Sequence, residues 1–213
     1  MSLIEQLELC LITDMQNKTI SEYIKFIRDA IHGGVSMVQL REKSKGLEEL
    51  KKIAIELQNI LVPAKVPLII NDHVELAYEI DADGVHLGTS DMKWKEAREI
   101  LGPDKIIGVS VESFEDIEHS NELTGNIYVA ASAVFASKTK LDCKKIWGLD
   151  GLKTVVERSI HPVIAIGDIN EGNIKSVIKA GATGVAVISA IHDYKPYEAS
   201  AELLMKGRSC SRK

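Results

Sequence analysis

The 213-residue sequence predicts a single α/β domain built as a parallel, eight-stranded (β/α)8 barrel of the TIM type. Three observations carry that expectation. Eight short apolar segments recur along the chain, stretches with helical periodicity separate them, and polar residues cluster just after the apolar segments. The apolar segments lie at 9–13, 37–40, 67–70, 84–87, 106–110, 127–131, 163–166 and 184–188. Runs such as VPLII and GVAVI are apolar on both faces, which suits parallel strands covered on both sides. An open doubly wound sheet is the rival arrangement, and eight strands are somewhat many for it.

The intervening elements follow in order. Ile20 to Ile31 repeats apolar residues at helical spacing through Ile24 and Ile27, and Gly33-Gly34 ends the run. Leu47, Leu50, Ile53, Ala54, Leu57, Ile60 and Leu61 line one face of a second helix. Further helices are expected to begin near Val74 and Trp94. Asn170 is placed to cap a helix in which Ile174, Val177 and Ile178 face inward and Gly181 stops the run. Helices between apolar parallel strands imply right-handed crossovers. The barrel is expected to occupy residues 1–207 as one catalytic domain, followed by a small, basic and unstructured tail at 208–213.

Composition narrows the function classes. Hydrophobic residues make up 45% and charged residues 27%, ordinary values for a globular chain. No apolar run approaches bilayer length, and the N-terminus carries acids where a signal peptide carries basic residues, so neither membrane insertion nor export is expected. Cys10, Cys143 and Cys210 lack metal-site spacing and are expected to be reduced thiols in a cytoplasmic protein. A net charge of −5 gives no support for nucleic-acid binding, so an anionic ligand has to be held by a local cluster.

Such a cluster is legible in the residues just past each strand, where parallel barrels carry their chemistry. These are Gln39 to Lys43, Asn71-Asp72, Gly88 to Asp91, Ser110, Ser137 to Lys140, Gly167-Asp168 and Ser189. Arg41, Lys43 and Lys140 together suit a diphosphate or other polyanion, against the plainer reading of a solvated basic surface. Asp72 and Asp91 suit Mg²⁺, against the plainer reading that each caps the following helix. Ser137 and Thr139 offer hydroxyls to phosphate oxygens, and Gly167, Ile188 and Ser189 fall in the loops after strands seven and eight, where barrels bind phosphate through backbone N–H groups. His86 reads as a packed or hydrogen-bonded residue at a strand end, and no activated nucleophile is evident.

The stretches LITD, GGVSMVQLREK, IINDHVELA, ADGVHLGTSDM, LGPDKIIGVSV, FASKTK, PVIAIGDI and AGATGVAVISAI cover most of the chain and, taken together, resemble the thiamin phosphate synthase family. The resemblance implies a (β/α)8 barrel that joins 4-amino-2-methyl-5-pyrimidinylmethyl diphosphate to 4-methyl-5-(2-phosphoethyl)thiazole with Mg²⁺. It implies that Gln39, Arg41, Lys43, Asn71 and Lys140 contact the pyrimidine diphosphate, that Asp72 and Asp91 bind the metal, and that Ser110 lies beside the departing diphosphate. Ser137 and Thr139, with backbone near Gly167, Ile188 and Ser189, then hold the thiazole phosphate. Arg41, Lys43, Ser110 and Lys140 are the expected catalytic set. The partners so implied are small molecules, with no nucleic acid and no membrane, and a homodimer.

The sequence departs from the family pattern at identifiable places. Gly167-Asp168 stands where a double glycine is usual, and a carboxylate there repels phosphate unless its side chain turns away. Ser132-Ala133 stands where Gly-Pro is common, and Glu112 where histidine is frequent. These changes keep two alternatives open: a related thiazole tautomerase, whose histidine would fall at Glu112, and a non-catalytic barrel that binds a thiamin precursor.

Overall fold

In the computed structural model the eight strands run parallel in chain order and close on themselves, with the last paired to the first, so the barrel is shut and the open-sheet rival is excluded. The structure describes residues 1–136 and 145–209. The strands are β1 (Leu9–Ile12), β2 (Met37–Leu40), β3 (Leu68–Asn71), β4 (Gly84–Leu87), β5 (Ile106–Val111), β6 (Ile127–Ser132), β7 (Val163–Ile166) and β8 (Gly184–Val187). β3 starts one residue later than the apolar run suggests. Pro67 has no N–H to donate to a ladder, and only its carbonyl takes part, accepting from Val38 N at 3.0 Å.

Strand alternation splits the core into two layers. Cys10, Ile12, Met37, Ile69, Ile106, Tyr128, Ala130, Ile164 and Ala186 pack inside the barrel. Their neighbours Leu9, Leu11, Val38, Ile70 and Val129 point outward and pack in the layer beneath the helices. The inner layer is apolar at its floor, where a short helix α1 (Leu3–Gln6), fixed by a Ser2/Glu5 capping box, sets Leu3 and Leu7 across the opening. The sequence reading did not anticipate α1; four residues are too few to show a helical period. Burial pushes the Cys10 thiol up to about 12, so it is an inert member of this core.

The outer helices follow the expected periodicity. α2 (Ile20–His32) opens with a Thr19/Glu22 capping box and stops at Gly33. α3 (Leu47–Ala64) continues one turn past Leu61, and Lys65 ends it in the left-handed conformation at φ 57°. α4 (Val74–Glu79) and α5 (Trp94–Leu101) begin where the sequence placed them. After α6 (Phe114–Ser120) and α7 (Gly148–Arg158) comes α8 (Ile174–Lys179), which carries one correction. Asn170 does not cap it. The Asn170 side chain accepts from Gly172 N–H a turn earlier, and Asn173 takes the cap position. Two intervening residues form their own turn, which a spacing rule does not register. A four-residue α9 (Ser189–His192) and the closing α10 (Pro196–Arg208) complete the ring. Arg208 holds the end of α10 to the first strand through Glu8, at 2.5 Å. Among the described residues no helix is long and apolar enough to cross a membrane.

Closure depends on small residues at the seam. A methyl group on Gly184 would fall inside contact distance of the Leu7 carbonyl oxygen and within 2.9 Å of Glu8 Cα, both backbone atoms that cannot swing aside. Gly184→Ala is therefore expected to lower stability by about 1–3 kcal/mol, the range for overpacking a filled site, as read from the urea midpoint.

Candidate functional site

The upper rim of the barrel encloses a cavity of about 350 Å³. Of the described residues in the strand-end cluster, Gln39, Arg41, Lys43, Asn71, Asp72, Asp91, Ser110, Gly167 and Ser189 line it, with Ile188, whereas Glu42 and Asp168 do not. Ser137, Thr139 and Lys140 lie outside the described residues.

Strand periodicity explains the gathering. Met37 faces the interior of β2, so Gln39, two residues on, faces it too, and its Nε2 donates to Asn71 Oδ1 at the end of β3 (2.8 Å). In β4 the inward position after Gly84 is His86, and in β5 the inward positions are Ile106, Gly108 and Ser110. His86 bonds through Nε2 to Ser110 Oγ and through Nδ1 to Tyr128 Oη, both at 2.9 Å. Gly108 makes the second bond possible, because a side chain there would occupy the space of the Tyr128 ring and the imidazole. His86 is thus the hydrogen-bonded strand-end residue its position suggested, and it fixes the Ser110 hydroxyl at the cavity wall.

The two carboxylates come from separate loops. Asp72 follows β3 with φ 64°, its backbone N–H bonded to the His86 carbonyl (2.9 Å). Asp91 closes its own loop by accepting from Gly88 N–H at 2.7 Å. Neither acts as a helix cap: α4 starts after His73 and α5 after Lys93, both without a side-chain cap bond. The plainer reading of these acids therefore fails on the geometry. Their side chains instead meet each other, and burial together with the Asp91 carboxyl pushes Asp72 up to about 6, while Arg41 and Lys43 pull it the other way.

Two acids forced together beside two cations fit a divalent cation with an anionic ligand. Both donors are hard oxygens, and a cation between them would relieve the repulsion that raises Asp72. Among the described residues no cluster of three or more metal-ligating side chains occurs. A small cation that keeps water and phosphate oxygens in its shell matches a two-carboxylate site better than one needing a full protein cage.

Thr89 and Ser90, part of the strand-end cluster that ends at Asp91, line the cavity too, while Ile12 and Ile166, which supply apolar wall, escaped the sequence reading as site residues. Glu112 and the Ser132-Ala133 pair, noted in the sequence as departures, also face the cavity, and the peptide between Ser132 and Ala133 is cis. Inward alternation along β6 could have found Ser132, two residues beyond Ala130. Asp168, by contrast, is exposed and is not part of the lining; Asn170 and Asn173 side chains donate to its carbonyl at 3.2 and 2.8 Å.

Comparison with known proteins agrees with this geometry. Residues 9–191 match the family model described as thiamine monophosphate synthase. A Vibrio campbellii protein named thiamine-phosphate synthase is 43% identical over 197 residues, covering 92% of this chain and 96% of that protein. A Leptospira biflexa protein of the same name is 48% identical over 181 residues, covering 83% and 86%. The solved thiamine phosphate pyrophosphorylase of Pyrococcus furiosus superposes with a TM-score of 0.88 at 34% identity, covering 98% of this chain and 99% of that one.

The acid pair has a measurable cost without a cation. An Asp72 carboxyl raised to about 6 contributes stability below its ordinary value near 3.8 and loses that contribution as pH rises through 6. In metal-free buffer the thermal midpoint is expected to fall over that window, and Asp91→Asn is expected to raise it at pH 8 and flatten the fall. A variant no more stable than the parent at pH 8 would contradict the contact.

Proposed function

The chain belongs to the thiamine monophosphate synthase family and is a transferase that makes thiamine phosphate, and from that premise we propose how its cavity residues divide the work. The observation that supports the division best is the meeting of Arg41, Lys43, Asp72 and Asp91 at one end of a single cavity.

The substrates are 4-amino-2-methyl-5-pyrimidinylmethyl diphosphate and 4-methyl-5-(2-phosphoethyl)thiazole. Gln39 and Asn71, already bonded to each other, present an amide edge to the aminopyrimidine, whose ring carries matching donors and acceptors. Arg41 and Lys43 hold the diphosphate, with Lys140 assigned to the same task. Asp72 and Asp91 hold Mg²⁺, which when bound neutralises charge on the diphosphate. The Ser110 hydroxyl, fixed by His86, donates to the bridging side of the leaving group.

The C–O bond between the pyrimidine methylene and diphosphate breaks with its electron pair going to the diphosphate. The electron-rich aminopyrimidine carries the positive charge that remains, and the thiazole nitrogen supplies the pair that forms the new C–N bond. Arg41, Lys43 and Ser110 stabilise the charge growing on the departing group where it develops. Ser137 and Thr139, with the backbone at Gly167, Ile188 and Ser189, hold the thiazole phosphate so that its nitrogen faces the methylene. Ile12 and Ile166 line the cavity with apolar surface that keeps water from competing for the cation. No protein nucleophile takes part. The setting is the cytoplasm and the working unit a homodimer in this reading. Neither a tautomerase nor a non-catalytic binder draws support from a specific observation, and Glu112 supplies a carboxylate where the tautomerase would need its histidine.

Purified protein is expected to release diphosphate and form thiamine phosphate when given both substrates and Mg²⁺, and to lose that turnover in excess chelator. Folded protein that forms none would end this reading. Because Asp168 faces solvent, Asp168→Gly is expected to leave the KM for the thiazole phosphate within about twofold of the parent, roughly the resolution of a steady-state comparison. A tenfold tighter value would place the carboxylate against the phosphate.

A further inference from the structure

Beneath the loop that follows β1 lies a buried polar chain whose own side chains do not line the cavity but whose two ends bond to the backbone of residues that do. At one end Thr13 Oγ1 accepts from the backbone N–H of Arg41 at 2.8 Å. The next residue, Asp14, carries the chain onward by donating its N–H to the Tyr23 phenol oxygen at 2.9 Å. Glu42 is 8% exposed and accepts from Met15 N–H at 3.0 Å. At the other end His192, also 8% exposed, bonds through Nδ1 to the Ile188 carbonyl at 2.9 Å.

The polarity of the middle follows from that last bond. A carbonyl oxygen can only accept, so Nδ1 carries the proton and Nε2 of the neutral ring is an acceptor. Tyr23 O–H then donates to Nε2 (2.8 Å), and the Tyr23 oxygen accepts from Asp14 N–H (2.9 Å). Burial holds His192 below its ordinary value and keeps it in the neutral form that this pattern requires. Stacking of Tyr23 on Phe26, with rings 5.6 Å apart, and of Phe26 against His192, at 4.9 Å, leaves the imidazole little room to turn.

We propose that Thr13, Tyr23, Glu42 and His192 are positioning residues, a buried polar strap that fixes Arg41, just after β2, relative to Ile188, just after β8, the two strands that flank β1. The strap rests on the reading given above, in which Arg41 receives the diphosphate and the Ile188 backbone receives the thiazole phosphate. Its consequence is that each end serves one substrate. Loosening His192 frees the wall on which one phosphate sits, and loosening Thr13 frees the backbone from which Arg41 projects.

Steady-state kinetics on the full chain test this with both substrates varied. His192→Phe is expected to raise the KM for the thiazole phosphate about tenfold and to leave that for the pyrimidine diphosphate within about twofold, as for a lost buried hydrogen bond that bears on one ligand. His192→Asn, which keeps an N–H for Ile188, is expected to recover most of the loss. Thr13→Val is expected to show the opposite pattern. Tyr23→Phe removes one hydroxyl and no volume, so it keeps the test open if a larger change fails to fold; it is expected to raise the thiazole phosphate KM about fivefold. Equal changes in both KM values, no change in either, or an Asn variant as impaired as the Phe variant would overturn the strap. If the parent forms no thiamine phosphate, the synthase reading fails separately. The strap is then read from inorganic phosphate binding: weaker affinity in His192→Phe than in the parent supports it, and equal affinity overturns it.

Discussion

Closure of eight parallel strands into one ring is the constraint from which the site follows. In a closed parallel sheet every strand ends at the same rim, and every second residue of every strand points into the same interior. Residues separated by most of the sequence, such as Gln39 in β2 and Ile188 after β8, therefore share a cavity without any segment bending toward another. The chain places apolar side chains at the inward positions near the floor and polar ones at the last inward positions: Met37 before Gln39, Ile106 before Ser110, Ala130 before Ser132. Depth along the strand axis thus separates stability from chemistry.

Between those two levels lies a middle layer that belongs to both. Tyr128 is wholly buried among the interior apolar residues, yet its hydroxyl reaches His86, and His86 reaches Ser110 at the cavity wall. Gly108 is the steric permission for this arrangement. The same logic holds on the opposite side, where Thr13, Tyr23 and His192 link buried structure to backbone that lines the cavity. Groups at the cavity wall are thus held by partners packed behind them, and those partners hold their places because they are buried and hydrogen-bonded.

Most of this was legible in the sequence, for a physical reason: parallel strands of a barrel are so apolar that their ends are sharp, and the residue after each end is placed by topology alone. Arg41, Asp72 and Asp91 were found that way. What sequence could not supply were features decided by contacts between distant segments. Nothing in the spacing of Asp72 and Asp91 distinguishes a helix cap from a half of a carboxyl pair; the left-handed backbone of Asp72 and the Gly88 N–H bond to Asp91 decide it. Asn170 misled because a turn of its own intervenes before α8. The bonds of His86 and His192 depend on Tyr128 and Tyr23, 42 and 169 residues away along the chain. The loop residues Ser137, Thr139 and Lys140 were read from position and resemblance, and lie outside the described residues.

In the reading proposed above, the acid pair also accounts for how a chain of net charge −5 can serve polyanionic substrates. Among the described residues the Lys and Arg that line the cavity are Arg41 and Lys43, and the Asp91 carboxyl opposes their effect on Asp72. With no cation between them, Asp72 and Asp91 work against each other and against any incoming diphosphate. In the proposed reading a divalent cation held by the two carboxylates would cancel their negative charge and leave the field of Arg41 and Lys43 unopposed. On that reading, affinity for the anion would depend on the metal rather than on the overall charge of the protein. A cavity lined by cations alone would bind phosphates indiscriminately; one with a built-in acid pair would favour a diphosphate that arrives together with its cation.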